Sequence, residues 1–240
     1  RAKKPKRLIF MSIPFVIYVI AFCYTPLVGW LMAFQKFNPA KSLFDQTWVG
    51  LYQFKFLFSD DNFLKILRNT LCMSIINLTL SFVCSILFAL LLNEVKNVLF
   101  KKFTQTVSYL PHFLSWIIVT GIVSEVLSPS TGIINELLLK FHFISQPINF
   151  FAQPKYFWGI VGLTNVWKEV GWGSIIYLAS ITAINPDLYE AAEIDGAGRI
   201  QKILHVTLPG IKSTICILLI MNVGNILNAG FEIQYLLGNG

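Results

Sequence analysis

Long apolar stretches alternate with short polar connections along the chain. Four stretches carry no charged residue, and each approaches or exceeds the roughly 20 residues that an α-helix needs to cross a bilayer. They cover residues 8–35, 69–93, 103–124 and 213–231. A fifth stretch, 156–184, is long enough but contains Lys168 and Glu169. A charge at the centre of a span costs about 2.5–3.5 kcal/mol, so we expect this pair near one end of the span or facing a protected interior.

Composition supports the membrane spans and limits the number of domains. The mean hydropathy is +0.64 and only 13% of the residues are charged, whereas soluble domains carry about 25%. We therefore predict an all-α fold, a polytopic transmembrane helical bundle that occupies residues 1–240 as a single domain. The first apolar stretch lacks a small-residue cleavage site, so we expect a span there rather than a removed signal peptide. The net charge of +7 lies mostly at the ends of apolar stretches, which argues against a nucleic-acid partner.

Basic residues predict the orientation of the spans. Five of the first seven residues are Lys or Arg, and three lysines crowd the short connection after the second span. Because basic connections remain in the cytoplasm, the N-terminus and the connection 187–212 are predicted inside, and 36–68 and 125–155 outside. Within the first outer connection, the aromatic-rich segment 48–68 is interpreted as an amphipathic segment on the membrane surface or a docking surface for an external partner.

Catalytic and metal-binding patterns do not stand out in the sequence. The GxxxxGK[ST] loop that holds ATP phosphates is absent, so any use of ATP must come from a partner. His112, His142 and His205 fall in different segments and are not expected to share a metal ion. The predicted spans contain no plausible Ser/His/Asp triad, and no two carboxylates share a helix face there. We therefore expect neither enzyme activity nor a cofactor in this chain.

The polar segment 185–209 is the most informative part of the sequence. Asn185 suits a helix N-cap and Pro186 suits the first helical position. Gly196 can take a positive φ and end that helix, and a second short amphipathic run follows before the next span. The segment therefore predicts a helix, a turn and a helix on the cytoplasmic side.

This segment resembles the EAA motif of bacterial ABC importer permeases, which reads EAAxxxG followed, after nine intervening residues, by IxLP. Val206 replaces the isoleucine of the motif. The six identical residues are Glu190, Ala191, Ala192, Gly196, Leu208 and Pro209. The resemblance implies that the loop 185–212 carries a coupling helix that rests in a groove of an ATPase, through these residues and Asp195. The alternative is an interfacial helix hairpin without a partner.

The resemblance extends over almost the whole chain. The phrases VGLYQF, YLPHFLSW, NVWKEVGWGSIIYLASI and GFEIQYLLGNG are similar to the sugar-permease branch of that family, especially the subfamily for complex or polysaccharide-derived oligosaccharides. Members of this branch usually have six spans with both termini inside. The sequence offers five, so we expect that a sixth span is missing after residue 240.

The resemblance implies a multi-pass permease subunit in the bacterial cell membrane. It would form half of the pathway for an oligosaccharide that an extracellular binding protein delivers. Its partners would be a second, similar permease subunit, as a heterodimer, and two ATPase subunits that hold ATP and Mg²⁺. The alternative is an ion- or proton-coupled carrier or a channel subunit, which should bury ionisable residues in several spans. The few residues that qualify are Lys168, Glu169, Glu125 and Glu232.

Aromatic and polar residues of the last three spans are candidates for contact with sugar. Sugar sites combine aromatic faces with polar groups directed at hydroxyls. The candidates are Trp116, Trp167, Lys168, Glu169, Trp172, Tyr177, Asn222, Asn225, Asn228 and Glu232. Asn222 and Asn225 would share one face of a helix, with Asn228 and Glu232 roughly along it. Two alternatives stay open, namely tryptophans that anchor at the membrane interface and asparagines that bond to neighbouring helices.

Overall fold

The computed structural model describes residues 6–228 and 230–238. Contacts divide the chain into two compact units, Arg1–Leu67 and Arg68–Gly240. Within the described residues, helices dominate and the only strands are a pair of two residues each. The predicted all-α class is therefore confirmed.

The first unit begins with a long apolar helical segment. Helix α1, Lys6–Val19, continues through a π-helical turn, Ile20–Tyr24, into a 3-10 helix, Thr25–Phe34. The apolar part of this segment, Phe10–Phe34, contains 25 residues with a mean hydropathy of 1.9. The first predicted span therefore exists as one helical segment, although it changes helix type twice.

A small hairpin and a short helix follow in the first unit. Strand β1, Gln35–Lys36, pairs antiparallel with β2, Thr47–Trp48. The loop between them is closed by Gln46, whose amide donates to the carbonyl oxygens of Asn38 and Lys41 at 2.9 Å. Helix α2, Tyr52–Ser59, then forms in the aromatic-rich segment, with several of its aromatic side chains exposed. Whether this helix lies on a membrane surface or meets a partner stays a prediction.

Two long helices organise the second unit, although the first of them, α3, begins before the boundary at Arg68, and shorter helices connect and cover them. Helix α3 contains 34 residues and α7 contains 29 residues. In chain order the α-helices are α3 (Asp61–Glu94), α4 (Val98–Tyr109), α5 (Trp116–Val126), α6 (Ile133–Lys140), α7 (Pro154–Thr182), α8 (Pro186–Ile194), α9 (Arg199–Lys202), α10 (Leu208–Gly210), α11 (Lys212–Val223) and α12 (Phe231–Leu237).

Within the described residues, only some of the predicted spans form helices that are long and apolar enough to cross a membrane. Phe10–Phe34 and α3 are long and apolar enough to cross a membrane. Two bent helix pairs, Val98–Phe113 with Trp116–Val126 and Arg199–Gly210 with Lys212–Val223, would each qualify as one broken span. Helix α7 has the length, but its polar residues lower its hydropathy. The number of spans therefore stays a prediction.

The predicted span 103–124 is not one continuous helix. Helix α4 ends at Tyr109, a 3-10 turn occupies Leu110–Phe113, and α5 starts after a bend of 106°. Proline lacks the N–H that would bond to the preceding turn, so Pro111 weakens the helix here, and the backbone leaves helical geometry at Leu114, whose ψ is 141°. The Ser115 hydroxyl then caps the new helix by accepting from the Ile118 amide at 3.4 Å.

The predicted span 213–231 is also interrupted, so the prediction that Asn222, Asn225, Asn228 and Glu232 lie along one helix face is wrong. Helix α11 ends at Val223, and Gly230 takes a φ of +79° before α12 begins. Glycine and asparagine are weak helix formers, and they concentrate in 224–230. Asn225 and Asn228 therefore lie in turns, and Glu232 lies on a separate helix rather than on the same helix face as Asn222.

The core of the second unit lies mainly between α3 and α7. One buried cluster joins these helices to Ile211, and its buried members are Ala89, Leu90, Leu92, Tyr177, Leu178, Ile181 and Ile211. A second cluster joins them to α12, through Met73, Val161, Ile233 and Leu237. Helix α4 approaches α7 so closely that a Cβ atom at Gly171 would overlap the backbone carbonyl of Ser108. These contacts fix α7 as the central element of this unit.

Candidate functional site

A cavity of about 380 Å³ opens between α3, α7, α11 and the turns that follow α11. Its wall mixes hydroxyls and amides with aromatic and aliphatic side chains. The lining residues are Ser74, Asn77, Leu78, Ser81, Phe82, Ser85, Asn165, Glu169, Trp172, Gly173, Ile176, Tyr177, Leu218, Asn222, Asn225, Ile226 and Asn228. This combination suits a ligand with many hydroxyl groups and some apolar surface.

Helix α3 contributes a stripe of small polar side chains to the cavity. Ser74, Asn77, Ser81 and Ser85 are three or four residues apart and therefore share one helix face. The Asn165 amide donates to the Ser81 hydroxyl at 2.9 Å. The buried Ser74 Oγ and Asn77 Oδ1 have no hydrogen-bond partner among the described residues. An unsatisfied buried polar group costs about 1–3 kcal/mol, so these two atoms lower the stability of the α3 wall.

A charged cluster lies where α7 meets the turn after α4. The Lys168 ammonium donates to the backbone carbonyl of His112 at 2.6 Å and lies 3.3 Å from Glu169 Oε1. It also lies 5.2 Å from the centre of the Trp116 ring. Glu169 Oε2 is 2.8 Å from His112 Nδ1. Lys168 is buried, as expected for a charge that faces a protected interior.

The cluster also fixes an aromatic surface of the cavity. The Trp172 indole stacks on the His112 imidazole with ring centres 4.5 Å apart and parallel planes. The ring of Phe113 meets the same indole edge-on at 5.6 Å. Trp172 remains 45% exposed where it lines the cavity. One indole face is thus held by the imidazole while the side chain still borders the open space.

The structure brings together some of the predicted sugar-contacting residues and not others. Glu169, Trp172, Tyr177, Asn222, Asn225 and Asn228 line the cavity. Lys168 and Trp116 are absent from the lining residues but meet each other beside it. Trp167 and Glu232 are not lining residues either. Sugar contact by these residues stays a prediction.

Sequence reasoning missed the whole α3 wall and the contact of His112 with α7. The spacing of Ser74, Asn77, Ser81 and Ser85 carried a usable signal, because polar residues at helical spacing in an apolar stretch favour a polar-facing stripe. The pairing of His112 with α7 had no such signal, since its partner is 57 residues away along the chain.

The predicted cytoplasmic loop forms a helix, a turn and a helix. Asn185 caps α8 by accepting from the Asp187 amide at 3.1 Å, and Pro186 occupies the first turn. The helix ends at Ile194, and Gly196 follows with a φ of +77°. The Ala197 amide closes this end by donating to the carbonyl oxygen of Ala192 at 2.9 Å. The local start and stop signals therefore work as predicted.

The two arms of this loop are tied together and leave apolar groups exposed. The Tyr189 hydroxyl lies 3.0 Å from Thr207 Oγ1, and Lys202 pairs with Glu193 at 3.4 Å. A groove of about 320 Å³ between the arms is lined by Ala192, Asp195, Gly196, Ala197, Gln201, His205 and Val206. Exposed apolar side chains nearby are Leu188, Ile194, Ile200 and Leu204. Glu190 and Ala191 are exposed, and Leu208 packs against the core cluster beneath the loop.

Comparison with known proteins identifies one family. The model of the family described as "Binding-protein-dependent transport system inner membrane component" matches residues 81–240. The polygalacturonan/rhamnogalacturonan transport system permease protein YteP of Bacillus subtilis is 46% identical over 234 residues, which cover 98% of this chain and 72% of that protein. Protein LplB of the same organism is 39% identical over 237 residues, covering 99% of this chain and 74% of LplB.

Solved structures show a similar fold. The crystal structure of a bacterial ABC transporter involved in the import of the acidic polysaccharide alginate contains a chain that matches with a TM-score of 0.87 and 42% identity. The match covers 97% of this chain and 77% of that chain. A second structure, of a bacterial alginate ABC transporter in complex with an alginate pentasaccharide-bound periplasmic protein, matches with a TM-score of 0.86 and 41% identity, covering 97% of this chain and 76% of that one.

Proposed function

The chain belongs to the family of binding-protein-dependent transport system inner membrane components, and on this premise we propose that it forms half of the translocation pathway for an oligosaccharide. It is a membrane-embedded permease subunit of an ABC importer, and its similar proteins include sugar permeases. An external binding protein delivers the sugar, a second and different permease subunit completes the pathway, and two ATPase subunits drive it. ATP and Mg²⁺ bind in those ATPase subunits.

One observation carries the pathway proposal, namely the composition of the cavity wall. Asn222 and Asn225 offer exposed amide groups, and Trp172 offers an aromatic surface in the same cavity. Sugar hydroxyls can form hydrogen bonds with these amides, while the apolar face of a pyranose ring can cover the indole.

The loop 185–212 acts as the coupling element in this proposal. The N-terminus and this loop lie in the cytoplasm, where α8 rests in a groove of an ATPase subunit. Ile194 is 87% exposed and Ile200 is 72% exposed, so a partner surface can bury both. The small residues Ala192 and Gly196 allow the partner backbone to approach closely.

The Ala192→Arg variant tests the coupling proposal. A bulky charge forced into a docking surface should weaken it at least as much as loss of a buried charge contact, which costs about 2–5 kcal/mol. Each 1.4 kcal/mol is about a factor of ten, so ATPase capture by the purified permease should fall at least about tenfold. Membrane insertion should persist because the loop lies outside the bilayer.

The matched control is Ala40→Arg, the same change at an exposed position of the loop between β1 and β2. This variant should capture the ATPase subunits as the original chain does. Full ATPase capture and full sugar uptake by Ala192→Arg would show that α8 is not the coupling helix.

A further inference from the structure

The indole of Trp172 rests with one face on the imidazole of His112. The two ring centres lie 4.5 Å apart, and the ring planes are parallel. Trp172 belongs to α7, whereas His112 belongs to the 3-10 turn Leu110–Phe113 that follows α4. The indole is therefore supported by a segment that is distant in the sequence.

Phe113 borders this stack from the side. Its ring centre lies 5.6 Å from the indole centre and 5.5 Å from the imidazole centre, and its plane is tilted by 81° from both. A ring on the far face of the indole would lie much farther from the imidazole than from the indole. Phe113 therefore does not cover the second face of the indole, and Trp172, which is 45% exposed, borders the cavity.

His112 is itself held by two neighbours of Trp172 on α7. Its Nδ1 lies 2.8 Å from Glu169 Oε2, and its backbone carbonyl accepts from the Lys168 ammonium at 2.6 Å. The same ammonium lies 3.3 Å from Glu169 Oε1, so the three groups satisfy one another. Glu169 and Trp172 are three residues apart and therefore share a face of α7. The helix that carries the indole thus also fixes the ring that supports it.

A fixed indole plane favours the packing of a sugar ring. A pyranose ring packs with its apolar face against the face of an aromatic ring, so the two planes have to match. When a mobile side chain has to be ordered on binding, affinity is lost, and preorganisation avoids this loss. A support on one face of the indole sets the plane that the other face presents.

We propose that His112 is a positioning residue, whose imidazole fixes the plane of the Trp172 indole against which a sugar ring of the substrate packs. The sugar contact rests on the proposed function, whereas the support of the indole does not. His112 is not among the residues that line the cavity, so its effect on the substrate passes through Trp172.

A fluorinated tryptophan at position 172 reports on the indole directly. It is incorporated there alone by amber suppression, and fluorine NMR is recorded on the assembled transporter in lipid nanodiscs without sugar. The variant is His112→Asn, which removes the ring but keeps a polar side chain that can bond to Glu169. We expect the signal to move downfield, because shielding by the stacked ring is lost, and to broaden as the indole takes up more than one orientation.

The matched control is His142→Asn, the same change at an exposed residue after α6. Asparagine tolerates the φ of +57° at this position, so the control keeps the local backbone. The fluorine signal of this variant should equal that of the original transporter.

Binding of radiolabelled tetragalacturonate to the same nanodiscs then tests what the support is for. His112→Asn should weaken binding about threefold to tenfold, which corresponds to the contribution of one aromatic pair. Trp172→Leu removes the indole itself and should weaken binding at least about tenfold. In the Trp172→Leu background, His112→Asn should change binding less than about twofold, because no indole is left to position.

The two measurements separate the positioning role from the sugar contact. An unchanged fluorine signal in His112→Asn would overturn the positioning role, and so would losses of affinity that add in the double variant. Unchanged sugar binding by Trp172→Leu would overturn the proposed sugar contact of Trp172, while a shifted fluorine signal would still show that His112 supports the indole. A shifted signal together with losses that do not add would establish His112 as the positioning residue.

Discussion

The buried ammonium of Lys168 should contribute to stability mainly by compensating Glu169. Replacing Lys168 with methionine keeps much of the side-chain volume but removes the donor to the His112 carbonyl and the ion-pair partner 3.3 Å from Glu169 Oε1. Removing one partner of a buried ion pair costs about 3–5 kcal/mol. Because Glu169 is 31% exposed and can regain contact with water, we expect Lys168→Met to lower the free energy of unfolding by about 3 kcal/mol, the low end of this range.

The double variant tests whether this loss comes from the unpaired carboxylate. With Glu169→Gln added to Lys168→Met, no charge is left uncompensated, and the total loss should shrink to about 1–2 kcal/mol. The free energy of unfolding can be measured by SDS titration of the purified chain in mixed micelles. Lys140→Met, the same change at an exposed position of α6, should stay within about 0.5 kcal/mol of the original.

Two results would refute the reasoning about this cluster. A loss below about 1 kcal/mol for Lys168→Met would mean that the ammonium contributes little beyond its own desolvation cost. The second result is a loss of unfolding free energy in the double variant that equals the sum of the losses in Lys168→Met and Glu169→Gln. It would mean that Lys168 and Glu169 act independently, since coupled neighbours deviate from additivity by about 0.5–3 kcal/mol.

Three further changes test the packing, the cavity and the loop. Gly171→Leu should destabilise the chain by more than about 2 kcal/mol in the same SDS titration, because its side chain would overlap the Ser108 backbone; stability within 0.5 kcal/mol of the original would refute that contact. Asn225→Leu should reduce sugar uptake severalfold while co-purification of the partner subunits persists, and unchanged uptake would exclude Asn225 from the pathway. Glu190→Ala should weaken ATPase capture in the same direction as Ala192→Arg but less, because it removes one interaction without adding a clash; a stronger effect than that of Ala192→Arg would contradict this reasoning.

Local signals in the sequence were enough to predict the helix, turn and helix of residues 185–209. The start of α8 depends on Asn185 and Pro186 and its end on Gly196, and each acts through backbone contacts within a few residues. The apolar stretches likewise predicted where the long helical segments lie, because hydropathy is a property of the sequence itself. These features need no knowledge of the rest of the fold.

The bends and the cavity depend on how distant segments pack against one another. A single sequence does not reveal this packing. Pro111 lay in an apolar stretch that is long enough for a span, so the bend of 106° beside it was not predicted. Asn225 and Asn228 were assigned to a continuous helix, yet they line the cavity from the turns after α11. These two residues thus line the same cavity as Asn222, although they do not share a helix with it as predicted.

ATP-dependent sugar import by the complete transporter tests the central claim most directly. The chain, its permease partner and the two ATPase subunits would be reconstituted in proteoliposomes with the external binding protein, and uptake of a labelled oligosaccharide measured. The account predicts uptake that requires both ATP and the binding protein and continues when the proton gradient is collapsed. Uptake that continues without ATP and stops with the gradient would contradict it and identify a proton-coupled carrier.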